Sequence, residues 1–204
     1  MWDQAESILT EALDATGHKY TAQSGEGAFY GPKIDAFVPD AIGREWQLGT
    51  VQLDFSLPER FDMEYTAENG NRDRPVVIHR AMLGSLERFL GVLIEHLSGA
   101  FPMWLAPVQA VIVPIADRHN EFCFEVGKRI SEAGFRVEVN DSNDRMNAKI
   151  RQAQLQKIPY MLVAGDREVE AKSLSVRTRS GDNLDPMSID QVIDRFIKQV
   201  ADRS

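Results

Sequence analysis

The chain has 204 residues, 43% of them hydrophobic, which gives room for one or two modest domains with packed cores. A formal net charge of -8 and a pI near 5.1 exclude a general polyanion binder, because nonspecific nucleic-acid affinity comes from Lys and Arg neutralising phosphates. Cys123 is the single cysteine, which excludes an intramolecular disulfide and a cysteine metal cluster, and its apolar surroundings in EFCFEVG predict a buried, inert thiol. No apolar run approaches the roughly 20 residues of a membrane span, and MWDQAESILTEAL carries acidic residues where a secretory signal carries basic ones. The expected location is cytoplasmic, with neither a membrane nor DNA as a partner.

The first predicted element is a short amphipathic helix with Asp3 as N-cap, apolar Ile8, Leu9, Ala12 and Leu13 at helical spacing, and Gly17 as its stop. GEGAFYGPK, residues 25–33, follows as a Gly-rich loop, a weak phosphate-binding signal by itself. From Lys33 to Phe55 the apolar period changes to two, giving two antiparallel strands joined through Pro39 to Gly43. The apolar phase slips between Leu48 and Val51, which a bulge near Gly49 and Thr50 absorbs, and Gln47 and Gln52 then share the face opposite the apolar one. After a stretch of turn signals and charge at 56–78, a helix is predicted from about Leu83 to Leu97, with Leu83, Leu86, Leu90, Leu93 and Leu97 as its stripe and Ser85 and Arg88 on another face. Gly99 to Pro107, with two prolines, closes a first region of residues 1–106.

Residues 107–204 alternate strand and helix. VQAVIVPI is a near-continuous apolar strand, Asp117 to Ala133 a helix stopped by Gly134, Val137 and Val139 a second strand, Met146 to Gln156 a helix, Tyr160 to Ala164 a buried strand and Ser173 to Arg179 an alternating one. Ser188 and Gln191 form a capping box for a last helix whose stripe is Ile189, Val192, Ile193, Phe196, Ile197 and Val200. This is the pattern of an α/β domain with a mixed sheet.

Three features carry chemistry. Lys33 opens a strand whose partner presents Gln47 and Gln52. Arg88 offers a planar cation suited to adenine and phosphate, the alternative being a pair with a nearby carboxylate. His79, in VVIHRAMLGS, lies where an apolar run meets the helix; a lone histidine there is more often a hydrogen-bonded structural residue than a ligand.

Together, GEGAFYGPKIDAF, REWQLGTVQLDF and RPVVIHRAMLGSLERFLGVLIEH resemble the last third of the class II catalytic domain of threonyl-tRNA synthetases, the final segment being motif 3. Residues 107–204 resemble the family's anticodon-binding domain, so the resemblance runs from end to end. It implies a partial class II antiparallel sheet with the motif 3 helix, followed by the α/β domain. It also implies ligation of threonine to tRNA-Thr, with threonine carboxylate attacking the α-phosphorus of ATP in the presence of Mg²⁺. Arg88 then matches the ATP-binding arginine and Ser85 the serine beside it, Gln47, Thr50 and Gln52 line the ATP and threonine pocket, and Tyr30 and Lys33 lie near threonine and the carboxylate-phosphate junction. Arg88, Lys33 and Gln47 are the expected catalytic set. His79 matches the third protein ligand of a Zn²⁺ that holds the amino group and hydroxyl of threonine and so rejects valine. Asn143, Arg151, Glu168 and Arg177 match positions that read anticodon bases. Residues 141–179 hold eight Lys or Arg against five Asp or Glu, a local positive excess within an acidic chain.

The 204 residues depart from the family in extent. Motifs 1 and 2, the motif 2 arginine, the dimer-forming segment of the homodimeric family, the editing region and the other two zinc ligands have no counterpart, so a truncated form is expected, inactive in aminoacylation alone. Leu48 stands where many relatives carry cysteine. A standalone tRNA-binding or regulatory protein is the alternative, and His79 in its isoleucine-histidine-arginine setting speaks against a proline-activating sister.

Overall fold

The first helix of the computed structural model, α1 (Trp2–Thr16), begins at the carbonyl of Met1, which accepts from the Ala5 N–H at 3.0 Å; the structure describes residues 1–203. Met1 is therefore the N-cap and the expectation for Asp3 is corrected: Asp3 is already helical, its charge in the first turn favouring the unpaired N–H groups. Gly17 ends the helix in the left-handed region at φ 70°.

Strands β1 (Lys33–Pro39) and β2 (Glu45–Asp54) form the expected antiparallel pair. Ala36 opposes Gly49 and Phe37 opposes Gln47, so the extra residue is Leu48, just before the expected site, and the bulge lets its apolar side chain be buried. The register then puts Gln47, Thr50, Gln52 and Asp54 on one face with Lys33 and Asp35. Helix α2 (Ser56–Arg60) and the small hairpin β3 (Tyr65–Thr66) and β4 (Arg72–Asp73) fill the turn-rich stretch, and β5 (Val77–Ala81) pairs antiparallel with β2, setting His79 opposite Gln52.

Helix α3 (Leu86–His96) starts three residues later than expected. Gly84 holds φ 61°, a left-handed conformation that cannot continue a helix, and a Cβ there would stand 3.3 Å from the Leu48 carbonyl. Ser85 starts the helix instead, its Oγ accepting from the Arg88 N–H at 3.3 Å and its carbonyl from Phe89 at 3.0 Å. No residue of α3 is buried, and Leu86, Leu90 and Ile94 are exposed.

The chain divides into two compact units between His96 and Leu97. Residues 97–106 bond within the second unit: Arg136 donates to the carbonyls of Trp104 and Ala106, Gln109 to that of Met103, and Met103 joins its core. In that unit follow β6 (Ala110–Pro114), a 3₁₀ turn at Asp117–His119, α4 (Asn120–Glu132), β7 (Val137–Val139), α5 (Met146–Leu155), β8 (Tyr160–Ala164), α6 (Asp166–Ala171), β9 (Ser173–Thr178), β10 (Met187–Ser188) and α7 (Ile189–Ala201). The sheet order is β10-β9-β8-β6-β7, with β7, β6 and β8 parallel and β9 and β10 antiparallel, a mixed sheet as expected. Ala110, Ile112, Leu162 and Val176 pack under α4 and α7 on one face, and Val111, Val113, Met161 and Val163 under α5 on the other. Burial on both faces is why these parallel strands read as unbroken apolar runs. The Ser188 and Gln191 capping box forms, with the Ser188 N–H on Gln191 Oε1 at 2.8 Å. Among the described residues no helix is long and apolar enough to cross a membrane.

Candidate functional site

Backbone pairing places the loop of residues 25–33 against β2. Leu53 N–H donates to the Pro32 carbonyl and Phe55 N–H to that of Tyr30, both at 3.1 Å. Gly31 lies so close to the Leu53 carbonyl that any Cβ would overlap it, which explains the glycine in Tyr-Gly-Pro-Lys. Tyr30 is thereby held over the sheet, its hydroxyl donating to Gln52 Oε1 at 2.6 Å.

Beside that bond, the polar face is tied together in two further pieces. Gln47 Nε2 donates to Asp35 Oδ1 at 2.7 Å while Lys33 Nζ meets Asp35 Oδ2 at 2.7 Å, and that carboxylate raises the Lys33 pKa. His79 Nε2 lies 2.8 Å from Asp54 Oδ2, and Asp54 Oδ1 accepts from the N–H groups of Ser56 and Leu57. Burial pushes the Asp54 pKa up, but the Leu57 N–H, His79 and the Ser56 N–H outweigh it and lower it overall. With the carboxylate ionised, Nε2–H of His79 donates to it, and in that tautomer the ring's lone pair is on Nδ1. Between these pieces the Thr50 hydroxyl is buried with no hydrogen-bond partner. A cavity of about 310 Å³ opens beside them, lined by Phe29, Tyr30, Gln52, Asp54, Arg60 and His79 among others.

Arg88 is exposed and, among the described residues, pairs with no carboxylate, the alternative weighed from sequence. Its Nη1 donates to the Gln47 carbonyl at 3.0 Å and its guanidinium lies over the Trp46 ring at 5.7 Å. Ser85 Oγ donates to Glu87 at 2.8 Å. Among the described residues no three His, Cys, Asp or Glu side chains converge as metal ligands. His79 with Asp54 behind it would supply one ligand and its orienting carboxylate, and these residues do not hold zinc by themselves.

In the second unit the four candidate base readers lie on the α5 side of the sheet. Asn143 is in the exposed loop before α5, Arg151 is exposed on α5, and Arg177 follows Ser175 by two on β9, opposite the buried Leu174 and Val176. Glu168 is partly engaged already: Oε2 accepts from the Gly165 N–H at 3.0 Å and Oε1 from Ser175 Oγ at 2.7 Å. Burial raises its pKa, and Ser175 with the backbone N–H groups lowers it further than burial lifts it. Sequence reading missed Asp35 and Asp54; both obey the same period of two as Lys33 and Gln52, and that alternation was the available signal.

A family model described as the tRNA synthetase class II core domain (G, H, P, S and T) matches residues 1–97, and one described as an anticodon-binding domain matches residues 109–199. A threonine-tRNA ligase of Caldanaerobacter subterraneus subsp. tengcongensis is 49% identical over 203 residues, all of this chain and 32% of that protein. One of Deinococcus deserti is 57% identical over 179 residues, 88% of this chain and 28% of that protein. The chain belongs to the threonyl-tRNA synthetase family. A crystal structure described as the RNA binding domain of threonyl-tRNA synthetase from Cryptosporidium parvum superposes with a TM-score of 0.90 at 41% identity, over 97% of this chain and 50% of that one. Measured against the threonyl-tRNA synthetases it matches, the chain spans about a third of their length, the C-terminal part that carries the end of the class II core and the anticodon-binding domain.

Proposed function

We propose that the first unit supplies one wall of an ATP-dependent threonine-activating site and the second reads the anticodon of tRNA-Thr, the work of a cytoplasmic threonine-tRNA ligase. The observation that carries the reading is the cavity beside β2, whose walls bring Tyr30, Gln52, Asp54 and His79 together as polar groups held in place by one another. Tyr30 and Gln52 present a hydroxyl and an amide to threonine, Lys33 brings a cation to the junction of carboxylate and phosphate, and Arg88, Ser85 and Gln47 receive ATP. Their contribution to attack by the threonine carboxylate on the α-phosphorus is positioning and charge neutralisation, with Mg²⁺ neutralising phosphate charge when bound. His79, oriented by Asp54, offers Nδ1 to zinc, whose remaining ligands must come from outside these 204 residues. Asn143, Arg151, Glu168 and Arg177 offer directional hydrogen bonds to unstacked base edges.

A second reading, a tRNA-binding protein without catalysis, is favoured by the contrast in burial. Among the described residues, Ala5, Leu48 and Leu53 are the buried hydrophobics of the first unit, against 23 in the second. A fluorescence titration at one fixed salt concentration, with a tRNA-Thr transcript and with the same transcript carrying a swapped anticodon, tests the shared part. Weaker binding of the swapped transcript is expected; equal binding or none would defeat the anticodon assignment. Threonine-dependent ATP and pyrophosphate exchange by the chain alone is expected to be absent on both readings; binding of ATP to the first unit, expected on the first reading and not on the second, separates them.

A further inference from the structure

Trp46 donates its indole Nε1–H to Asp40 Oδ2 at 3.0 Å. The same carboxylate accepts Arg44 Nε at 2.7 Å and, through Oδ1, the N–H groups of Ile42 and Arg44, closing the turn between β1 and β2. Asp40 is buried, and the Trp46 and Arg44 bonds hold its carboxyl well below the usual carboxylate range, so the anchor stays ionised. The indole fixed in this way lies under Arg88, whose Cζ is 5.7 Å from the ring centroid, and the neighbouring Gln47 carbonyl takes Arg88 Nη1 at 3.0 Å. Arg44 completes the group, its Cζ also 5.7 Å from the Trp46 ring. An exposed arginine on the first turn of a helix ordinarily samples many rotamers. Here an aromatic face and a carbonyl hold it from two directions while it remains accessible to solvent.

We infer that Trp46, anchored by Asp40, is a positioning residue that preorganises Arg88 for an adenine nucleotide. Its role rests on the proposed contact between Arg88 and ATP and extends it: the β1–β2 turn sets how much side-chain entropy the nucleotide must remove on binding. A preorganised cation loses less freedom and binds more tightly.

The test reads Arg88 twice, by its guanidinium NMR resonances in the nucleotide-free chain, assigned by their loss in R88A, and by ATP titration. In W46L the Arg88 resonances are expected to lose their ring-current shift and ATP affinity to fall about three- to thirtyfold, the range for removal of one cation–π contact. W46F keeps an aromatic face and removes only the bond to Asp40; it is expected to restore most of the shift and to bind ATP between the wild type and W46L. Arg88 resonances unchanged in W46L would overturn the positioning role, whether or not ATP binds. ATP binding unchanged in R88A would instead overturn the nucleotide contact, while the resonances still report on Trp46. An equal shift and affinity in W46F and W46L would show that the aromatic face contributes nothing.

Discussion

Asp166 sits where the loop after β8 meets the 3₁₀ turn after β6, and Arg118 grips it with two bonds of 2.8 and 2.6 Å. His119 Nε2 lies 2.9 Å from the same carboxylate, while His119 Nδ1 accepts the Ala116 N–H at 3.2 Å, which makes His119 the neutral tautomer with its proton on Nε2. Arg118 first and His119 second hold the Asp166 carboxyl well below the usual carboxylate range. A depressed folded pKa stabilises above the unfolded value and is lost as pH falls through the folded one. D166N is therefore expected to lower the Tm of the second unit at neutral pH, the gap narrowing as pH falls below about 4, the unperturbed aspartate value. Thermal melts across pH check this, and a gap that persists undiminished below that value would contradict it. At this scale the sequence showed the candidates that alternate along strands, Lys33, Gln47 and Gln52, but hid their partners. Asp54 and His79 are 25 residues apart, Asp35 and Gln47 twelve, and only strand pairing joins them. Trp46 falls on the apolar period of its strand, and period alone cannot tell a packed indole from one that carries a cation.

Among the elements, α3 shows how a single backbone angle overrides a hydrophobic repeat. Leu83 fits the stripe of Leu86, Leu90 and Leu93, so periodicity extends the helix through it, yet Gly84 at φ 61° breaks the chain there. The break brings the backbone against the carbonyls of Gln47 and Leu48 and lets Ser85 cap the turn that carries Arg88. G84A is expected to destabilise the first unit by roughly 1–2 kcal/mol through the left-handed penalty on a side chain. The check is the urea midpoint followed by the far-UV signal, which should fall for G84A and rise for G91A, a glycine within α3 whose added Cβ meets open space and favours the helix. The bulge was legible within one residue, because a phase slip in the apolar pattern bounds its position but does not say which residue is extruded. Helix α6 and strand β10, six and two residues long, are too short to leave a period.

Across the whole molecule the two units differ in how much apolar surface they bury. The second packs both faces of its sheet, with Phe196, Ile112, Leu162 and Val192 fully enclosed, while the first leaves Leu86, Leu90, Ile94 and Ile78 exposed. Stability follows burial, so urea is expected to unfold the first unit before the second, in two transitions resolved by native-state hydrogen exchange. A single coincident loss of protection in β2 and β8 would contradict it. The α/β class of the second unit was plain in the sequence because buried parallel strands leave unbroken apolar runs. The first unit's sheet showed only as alternation.

Cys123 is enclosed on α4 in the second unit, where burial pushes its thiol up to about 11. With so small a thiolate fraction at neutral pH it reacts only when that unit opens. As the one cysteine in the chain it is a built-in clock: the rate at which a thiol reagent labels the folded chain times the opening of the second unit alone, and a reporter cysteine placed on the exposed Asn143 loop would be labelled long before it.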